Sequence, residues 1–355
     1  MERMRFGSFL ALCLLVHVAH AATWTVTTTN SGGICTADST TDANCTLDAA
    51  ITVTANGDTI LFALPVQTQT IQLATQSLNK SITIDGSPNG VVLDGNDTHP
   101  FFYFISGNAT VLLSHLTFQH GHGAPVAGAI YISDATVTID SCAFVHNSAS
   151  SGGAIFDSYA SLTILNSTFG DNQAAFSGGG GGAIFHGGPS LVIANSTIAG
   201  NSSSGYGGGI YVSLGPKVFL LSNIIATNTA SLGSPDIYSI SGNTVTSLGS
   251  NLIGDNSGNP SYIADPSDQL GDDANPIDPQ FAAAGLADNG GATQTIALLS
   301  SSPALGNGNC AGHTGDASTP TVPPARVDQR DILRGTPCTI GAYDAAVIFY
   351  NGFEN

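Results

Sequence analysis

The sequence predicts an all-β fold: a right-handed parallel β-helix, a single-stranded solenoid of about eight coils, with an N-terminal cap and a small C-terminal module. Three observations lead to this prediction. Short segments with alternating apolar residues recur through the middle of the 355-residue chain, an asparagine recurs after most of these segments, and a glycine pair recurs before a second segment. Recurrence at this spacing is typical of solenoids, in which each unit buries its apolar side chains only by stacking on its neighbours.

Five of these segments align closely, and each is predicted to form a strand. They begin at Val111, Val137, Leu162, Leu191 and Val218, which are 25 to 29 residues apart. Stacking pairs each strand with its copy in the next coil, about 4.8 Å away. The eighth position of each segment is phenylalanine or isoleucine and is predicted to form an apolar column inside the solenoid: Phe118, Phe144, Phe169, Ile198 and Ile225.

An asparagine follows three residues after the strand in four of these coils, at Asn147, Asn172, Asn201 and Asn228. Asparagine tolerates the left-handed backbone of a sharp turn, and stacked side-chain amides can bond to one another. We therefore predict a structural ladder of turn asparagines. Gly121 occupies the corresponding position in the first coil.

The start of the chain is predicted to be a signal peptide. Arg3 and Arg5 precede an apolar run from Phe9 to Val18, and Ala19-His20-Ala21 supplies a cleavage site. A lipoprotein attached through Cys13 is the rival interpretation. The predicted organisation is a signal peptide (1–21), an N-terminal cap (22–57), the β-helix (58–260), a C-terminal module (261–344) and a tail (345–355).

The charge of the chain limits its partners. There are 7 basic and 25 acidic residues, a net charge of −18, and Lys217 is the only basic residue between positions 81 and 325. Nucleic acids and acidic polysaccharides bind mainly through lysine and arginine, so neither is expected as a partner. Neutral sugars remain possible, and neither a membrane span after the signal peptide nor a cofactor is expected.

Five cysteines remain after the signal peptide, which fits an oxidising compartment. We predict disulfides Cys35–Cys45 and Cys310–Cys338, one near each end. Cys142 is left over and aligns with a strand position, so a buried free thiol is expected there. No cysteine or histidine spacing suggests a metal site. The acidic stretch from Asp265 to Asp278 could bind calcium, but a solvated loop is the preferred interpretation.

Three stretches resemble known families of exported bacterial proteins. The Gly-Gly-Ala-Ile and Phe-x-x-Asn units resemble the repeats of polymorphic outer-membrane proteins. The segment from Cys45 to Ile51 is similar to the CSLREA motif, with Thr46, Asp48 and Ala49 departing from that pattern. Near the end, Asp328-Gln329-Arg330 and Ile340-Gly341-Ala342-Tyr343 resemble the choice-of-anchor Q domain. The resemblance implies a secreted or surface-associated β-helix protein and implies no reaction.

No catalytic group of residues stands out from the sequence. Glycoside hydrolysis needs two carboxylates that flank the scissile bond. The best fallback candidates are Asp157 and Asp171, with His146, which aligns with Asp171 one coil earlier. The Gly-His-Gly at 121–123, which polygalacturonases also carry, falls at a variable turn.

The function predicted from the sequence is therefore that of a scaffold. We expect a monomeric protein, extracellular or on the cell surface in association with an outer membrane, that takes part in adhesion or in binding a surface glycan or protein. The alternative is a carbohydrate-active enzyme, a polysaccharide hydrolase rather than a lyase. A cleft with clustered carboxylates would favour the enzyme, and an even, shallow face would favour the scaffold.

Overall fold

The structure is a computed structural model. It describes residues 21–40, 42–64, 69–105, 107–213, 215 and 217–345. Residues 1–20 of the predicted signal peptide and residues 346–355 of the predicted tail lie outside the described residues.

The chain winds into a right-handed parallel β-helix whose strands form four parallel sheets, here named A to D. In sheets A, B and C neighbouring strands are equivalent segments of successive coils, as the repeat predicts. The strands of sheet A are Thr23–Val26, Asp58–Phe62, Ile82–Asp85, Thr110–Ser114, Thr136–Asp140, Ser161–Leu165, Ser190–Ala194, Lys217–Leu221, Thr244–Ser247 and Tyr262–Ile263. Those of sheet B are Gln69–Gln72, Val91–Asp94, Leu116–Gln119, Ala143–Val145, Thr168–Gly170, Thr197–Ala199, Ile224–Ala226, Leu252–Ile253 and Gln269–Leu270.

Sheets C and D complete each coil, because the chain passes through A, B, D and C before it returns to A. The strands of sheet C are Gln76–Leu78, Phe102–Phe104, Ile130–Ile132, Ile155–Asp157, Ile184–His186, Ile210–Val212 and Ile237–Ser239. Those of sheet D are His122–Val126, Ser148–Ser151, Gln173–Ala174, Ser202–Ser203 and Thr229–Ala230. Among the described residues, sheet C contributes one strand to each of seven turns, whereas the sequence suggested about eight coils; the solenoid ends contribute strands to sheets A and B only.

The interior of the solenoid is apolar and stacked in columns. In sheet B the rings of Phe118, Phe144 and Phe169 lie nearly parallel, with centroids 4.7 and 4.6 Å apart, and all three are fully buried. Ile198 and Ile225 continue the same column. The eighth position of the repeat is therefore a core position, and this column fixes the register between coils.

The two ends carry the helix and the disulfides. Helix Leu47–Val53 buries Leu47, Ala50 and Ile51 at the N-terminal end. Disulfides join Cys35 to Cys45 and Cys310 to Cys338, and Cys142 is free and buried, as the sequence predicted. Disulfides of this kind persist in oxidising environments.

The segment after the last coil folds back along the outside of sheets B and A. It contains the antiparallel strands Phe281–Ala287 and Thr295–Leu298. Gln329 is fully buried, and its amide bonds to the carbonyl of Cys142 and the hydroxyl of Thr168 on the solenoid. Apolar side chains of this segment also pack on sheet B around Ile224. The outer faces of sheet B and of part of sheet A are therefore covered.

Candidate functional site

The turn asparagines form a directional hydrogen-bonded ladder. The backbone N–H and the side-chain amide of Asn147 both donate to Oδ1 of Asn172, at 3.1 and 3.0 Å. Asn172 donates in the same way to Asn201, and Asn201 to Asn228. Gly121 begins the ladder through its backbone N–H, and a Cβ there would lie 2.1 Å from the carbonyl oxygen of Gly128. These residues have a structural role.

A carboxylate ends this ladder. Oδ1 of Asp236 accepts the backbone N–H and the side-chain amide of Asn228, at 3.2 and 2.8 Å, and Oδ2 accepts the N–H of Asp255. A carboxyl group suits the end of such a ladder because one of its oxygens accepts both donors of Asn228, so that no further amide is needed beyond it. Burial raises the pKa of Asp236 to about 7, although the amide donors oppose that shift.

A second ladder runs beside the first and ends in the same way. In this ladder the backbone N–H of each residue donates to the side chain of the corresponding residue in the next coil. The residues are, in order, Cys142, Ser167, Ser196, Asn223 and Asn251, and Asp268 is the final acceptor. The free thiol therefore lies at the start of a structural column. Burial raises the pKa of the Cys142 thiol, which disfavours the reactive thiolate.

The fallback catalytic residue Asp157 lies inside the solenoid. Its Oδ2 is 2.5 Å from Nδ1 of His186, the residue at the same position in the next coil, and both side chains are fully buried. Oδ1 accepts the N–H of Ala160, and Nε2 of His186 has no hydrogen-bond partner among the residues that the structure describes. Ile132 and Val212 flank the pair in the same column of sheet C. The pair is closed to substrate in this structure.

The other two fallback candidates lie on a different corner. His146 and Asp171 occupy the turn that follows sheet B in successive coils, and both are exposed with positive φ angles of 54° and 56°. The ring of His146 stacks on His120, with centroids 5.8 Å apart. The structure therefore brings His146 and Asp171 into one column and leaves Asp157 in the core. His186 was missed, although its place 29 residues after Asp157 is visible when the repeats are aligned.

One cavity contains several carboxylates. Its volume is about 300 Å³, and its lining includes Asp236, Asp255 and Asp278 near the last coils. Asp236 is held by the first ladder, while Asp255 accepts the N–H of Ser257 and Asp278 that of Gln280. Each carboxylate therefore already accepts hydrogen bonds within the fold. This cluster is not apparent in the sequence, because its members come from different coils.

The outer face of sheet C carries a column of stacked aromatic rings. One aromatic side chain per coil points outward and is half-buried, at Tyr103, Tyr131, Phe156, Phe185, Tyr211 and Tyr238. The central rings are nearly parallel: those of Phe156 and Phe185 are 4.4 Å apart and inclined by 8°. Most ring faces are therefore in contact with each other, and the column presents ring edges and tyrosine hydroxyls to solvent.

The outer face of sheet D is polar and uncharged over its central coils. Ser148, Gln173, Ser202 and Thr229 occupy one register position in successive coils. A shallow cavity of about 280 Å³ lies here, lined by Gln173, Ser202, Ser203, Ser204, Thr229, Ala230 and Ser231. Within the described part of the chain, the side chains of Gln173, Ser202 and Thr229 have no hydrogen-bond partner. We call the outer faces of sheets C and D together the open face.

Two aspartates contact one histidine where the C-terminal segment packs against the solenoid. Nδ1 of His115 lies 2.9 Å from Oδ1 of Asp85, and Nε2 lies 3.2 Å from Oδ2 of Asp331. Burial opposes the charged imidazolium, but the bond to Asp85 and the charges of Asp331 and Asp85 outweigh it and raise the pKa of His115. The third nearby carboxyl, that of Asp140, has its pKa raised by burial. This contact joins the C-terminal segment to the solenoid.

The acidic stretch from Asp265 to Asp278 forms local turns. Asp265 accepts from Ser267, Asp272 from Ala274 and Asn275, and Asp268 ends the second ladder. Among the residues that the structure describes, no group of three or more histidine, cysteine or acidic side chains could hold a metal ion. Over the same residues, no helix is long and apolar enough to span a bilayer.

Comparison with known proteins supports the fold and gives no activity. Residues 102–270 match the family described as the right-handed beta helix region. The match begins at the second strand of sheet C and ends at the last strand of sheet B, so it covers all five strands of sheet D and six of the seven strands of sheet C. No curated protein and no solved structure matches the chain. Because this fold serves many unrelated functions, the match assigns architecture alone.

Proposed function

We propose that the protein is a non-catalytic scaffold, secreted or held at the cell surface, that binds a surface glycan or a protein partner through its open face. This proposal rests on the difference between the outer faces of the solenoid that the C-terminal segment covers and those that it leaves accessible. Among the described residues, the C-terminal segment covers sheet B and part of sheet A, and no segment covers the aromatic column of sheet C or the polar column of sheet D. Tyrosine combines a large apolar surface with a polar group, and it is enriched where proteins bind partners.

The organisation proposed with this function follows the motifs of the sequence. Residues 22–57 would form a CSLREA-like cap, 58–260 a helix of outer-membrane-protein-type repeats, and 261–344 a choice-of-anchor Q-like module. Residues 1–21 would direct export, and 345–355 would serve in surface attachment. The two disulfides and the β-helix fold are consistent with an extracellular location.

Localisation of the intact chain tests the surface assignment. The full chain and a version that lacks residues 345–355 are expressed in a Gram-negative host, and cells, membranes and medium are separated. The full chain should fractionate with the cell surface or the outer membrane, and the deletion should shift it to the medium. Retention of both versions in the cytoplasm would exclude an extracellular scaffold.

The second candidate function is hydrolysis of a polysaccharide, which the cavity lined by Asp236, Asp255 and Asp278 favours. The purified chain should release no reducing ends from xylan or galactan and no unsaturated products from pectate or alginate. Turnover in the parent that Asp255→Asn or Asp278→Asn abolishes would establish the enzyme. Asp157→Asn and Asp171→Asn are included because they change the candidates found from the sequence.

A further inference from the structure

We infer that the ligand of the open face is an extended, uncharged polysaccharide that lies along the solenoid axis over sheet D. This inference rests on the proposed function and gives its ligand a chemical class. It follows from three features of the face: the spacing of its polar side chains, the apolar side chains beside them and the charge around them.

The polar side chains of sheet D repeat once per coil. Gln173, Ser202 and Thr229 are in register on adjacent strands, so their polar groups are spaced by the distance between coils, about 4.8 Å. The ring-to-ring advance of an extended β-linked pyranose chain is similar. Such a chain places about one ring on each coil, and each ring then lies beside a side chain that both donates and accepts hydrogen bonds, which suits its hydroxyls in either ring orientation.

These side chains are free to bond to a ligand. Their amide and hydroxyl groups donate and accept, and no partner holds them within the described residues. Hydroxyl and amide groups suit sugar hydroxyls, which also donate and accept. Without a ligand they are solvated, so binding replaces water rather than breaking bonds within the protein.

Apolar side chains lie beside the polar column. Phe176, three residues after Gln173, is 56% exposed. Its ring packs close to the backbone of Gly178 and Gly179, where a Cβ would lie 2.8 and 3.1 Å from ring atoms. Tyr206 lies in the same loop of the next coil and stacks on Tyr238 of the aromatic column. Sugar rings carry apolar C–H faces, and Phe176 supplies an exposed apolar surface for them.

The charge around the face selects against acidic polymers. No residue that lines the cavity on sheet D is charged, and Asp171, two residues before Gln173, is exposed. The whole chain carries a net charge of −18. A polyuronate would meet repulsion here, because no basic side chain lines the cavity on sheet D, whereas a neutral chain would not.

Affinity electrophoresis and calorimetry of the purified full chain test the inference, with xylan, mixed-linkage β-glucan and galactomannan as neutral probes and polygalacturonate as the acidic probe. We expect binding to at least one neutral probe, little dependence on salt, and none to polygalacturonate. Affinity for the matching oligosaccharides should increase with length up to roughly five rings, because sheet D has five strands.

Two variants locate the site. Gln173→Ala with Ser202→Ala and Thr229→Ala should weaken binding about tenfold or more, since three hydrogen-bonding groups are lost. Phe176→Ala should weaken it through the lost apolar contact. The matched control is Thr136→Ala with Thr138→Ala and Thr163→Ala on the outer face of sheet A, which should bind as the parent does. All these positions are exposed or half-buried, so the variants should fold.

The outcomes separate the inference from the proposed function. Failure to bind any neutral probe, binding that needs low salt and prefers polygalacturonate, or equal binding by parent and sheet D variants would overturn the inference. If no neutral probe binds, but the parent attaches to cells and the sheet D variants do not, the scaffold proposal stands and its partner is something other than a neutral glycan. If neither attachment nor glycan binding occurs, both proposals are wrong.

Discussion

Removing one member of the buried Asp157–His186 pair should destabilise the protein more than removing both. The two side chains are fully buried and joined at 2.5 Å, and the residues before and after them in the column are Ile132 and Val212. The variants are Asp157→Val, His186→Val and the double substitution, which would make this column of sheet C apolar from Ile132 to Val212.

The expected loss of stability in each variant follows from the buried polar groups that it leaves without a hydrogen-bond partner. In His186→Val the carboxylate of Asp157 keeps only the N–H of Ala160, and loss of one partner of a buried pair costs about 3–5 kcal/mol. In Asp157→Val the imidazole and the N–H of Ala160 both lose their acceptor, for a similar cost. In the double variant only the N–H of Ala160 is orphaned, which costs about 1–3 kcal/mol. The coupling energy should therefore be about 3 kcal/mol or more.

Unfolding in urea at constant pH, followed by far-ultraviolet circular dichroism, measures these differences. Labelling of the buried thiol of Cys142 gives a second readout within the same stack of coils. Tyr159→Val is the control, because this side chain is 72% exposed and the change should cost less than about 0.5 kcal/mol. Additive single effects, or a double variant less stable than both single variants, would refute the reasoning.

Three further predictions concern the ladders and pH. Asn172→Leu should cost about 1–3 kcal/mol, because it removes an acceptor and donors in the middle of the first ladder; an unchanged unfolding midpoint would contradict the role of the ladder. The folded-state pKa of His115 is raised, so its contribution to stability is complete below the unfolded value near 6.5 and is lost as pH rises through the folded value; Asp331→Asn should flatten that part of a pH titration of stability. The pKa of Asp236 is about 7 in the folded state and 3.8 in the unfolded state. Between pH 3.8 and pH 7 the native state therefore binds a proton that the unfolded state has lost. The free energy of unfolding should therefore decrease as pH rises from about 4 to 7, and Asp236→Asn should remove this dependence.

The sequence was sufficient for the architecture because stacking repeats the same demands in every coil. Strands, the Phe118 column and the asparagine turns recur at positions where one coil must match the next, so the pattern is visible without coordinates. The disulfides could be predicted for a similar reason, since each joins cysteines close in sequence at one end. Terminal coils do not repeat the full pattern, and among the described residues sheets A, B and C therefore contain ten, nine and seven strands.

The candidate sites were harder to predict because they depend on which side of a strand a residue faces. Asp157 was considered as a solvent-facing turn residue, yet its position in sheet C points into the core, where His186 lies beside it. Asp236 follows Asn228 by only eight residues, outside the repeat spacing, and this hid its place at the end of the ladder. The packing of Gln329 against sheet B depends on contacts between residues more than 160 positions apart.

The open face is where the sequence departs from what stacking alone requires. Inside the solenoid most positions are apolar, and in the ladders every member after the first accepts a hydrogen bond, so those residues are explained by folding. The outer positions of sheet D, at Gln173, Ser202 and Thr229, are in register and face outward, so neither the core nor the ladders determine their side chains. They are nevertheless neutral and able to hydrogen-bond, in a chain whose net charge is −18. The neutral ligand that we infer would match these side chains at the spacing of the coils, and loss of glycan binding in the sheet D variants is the result that separates it from a purely structural role for the face.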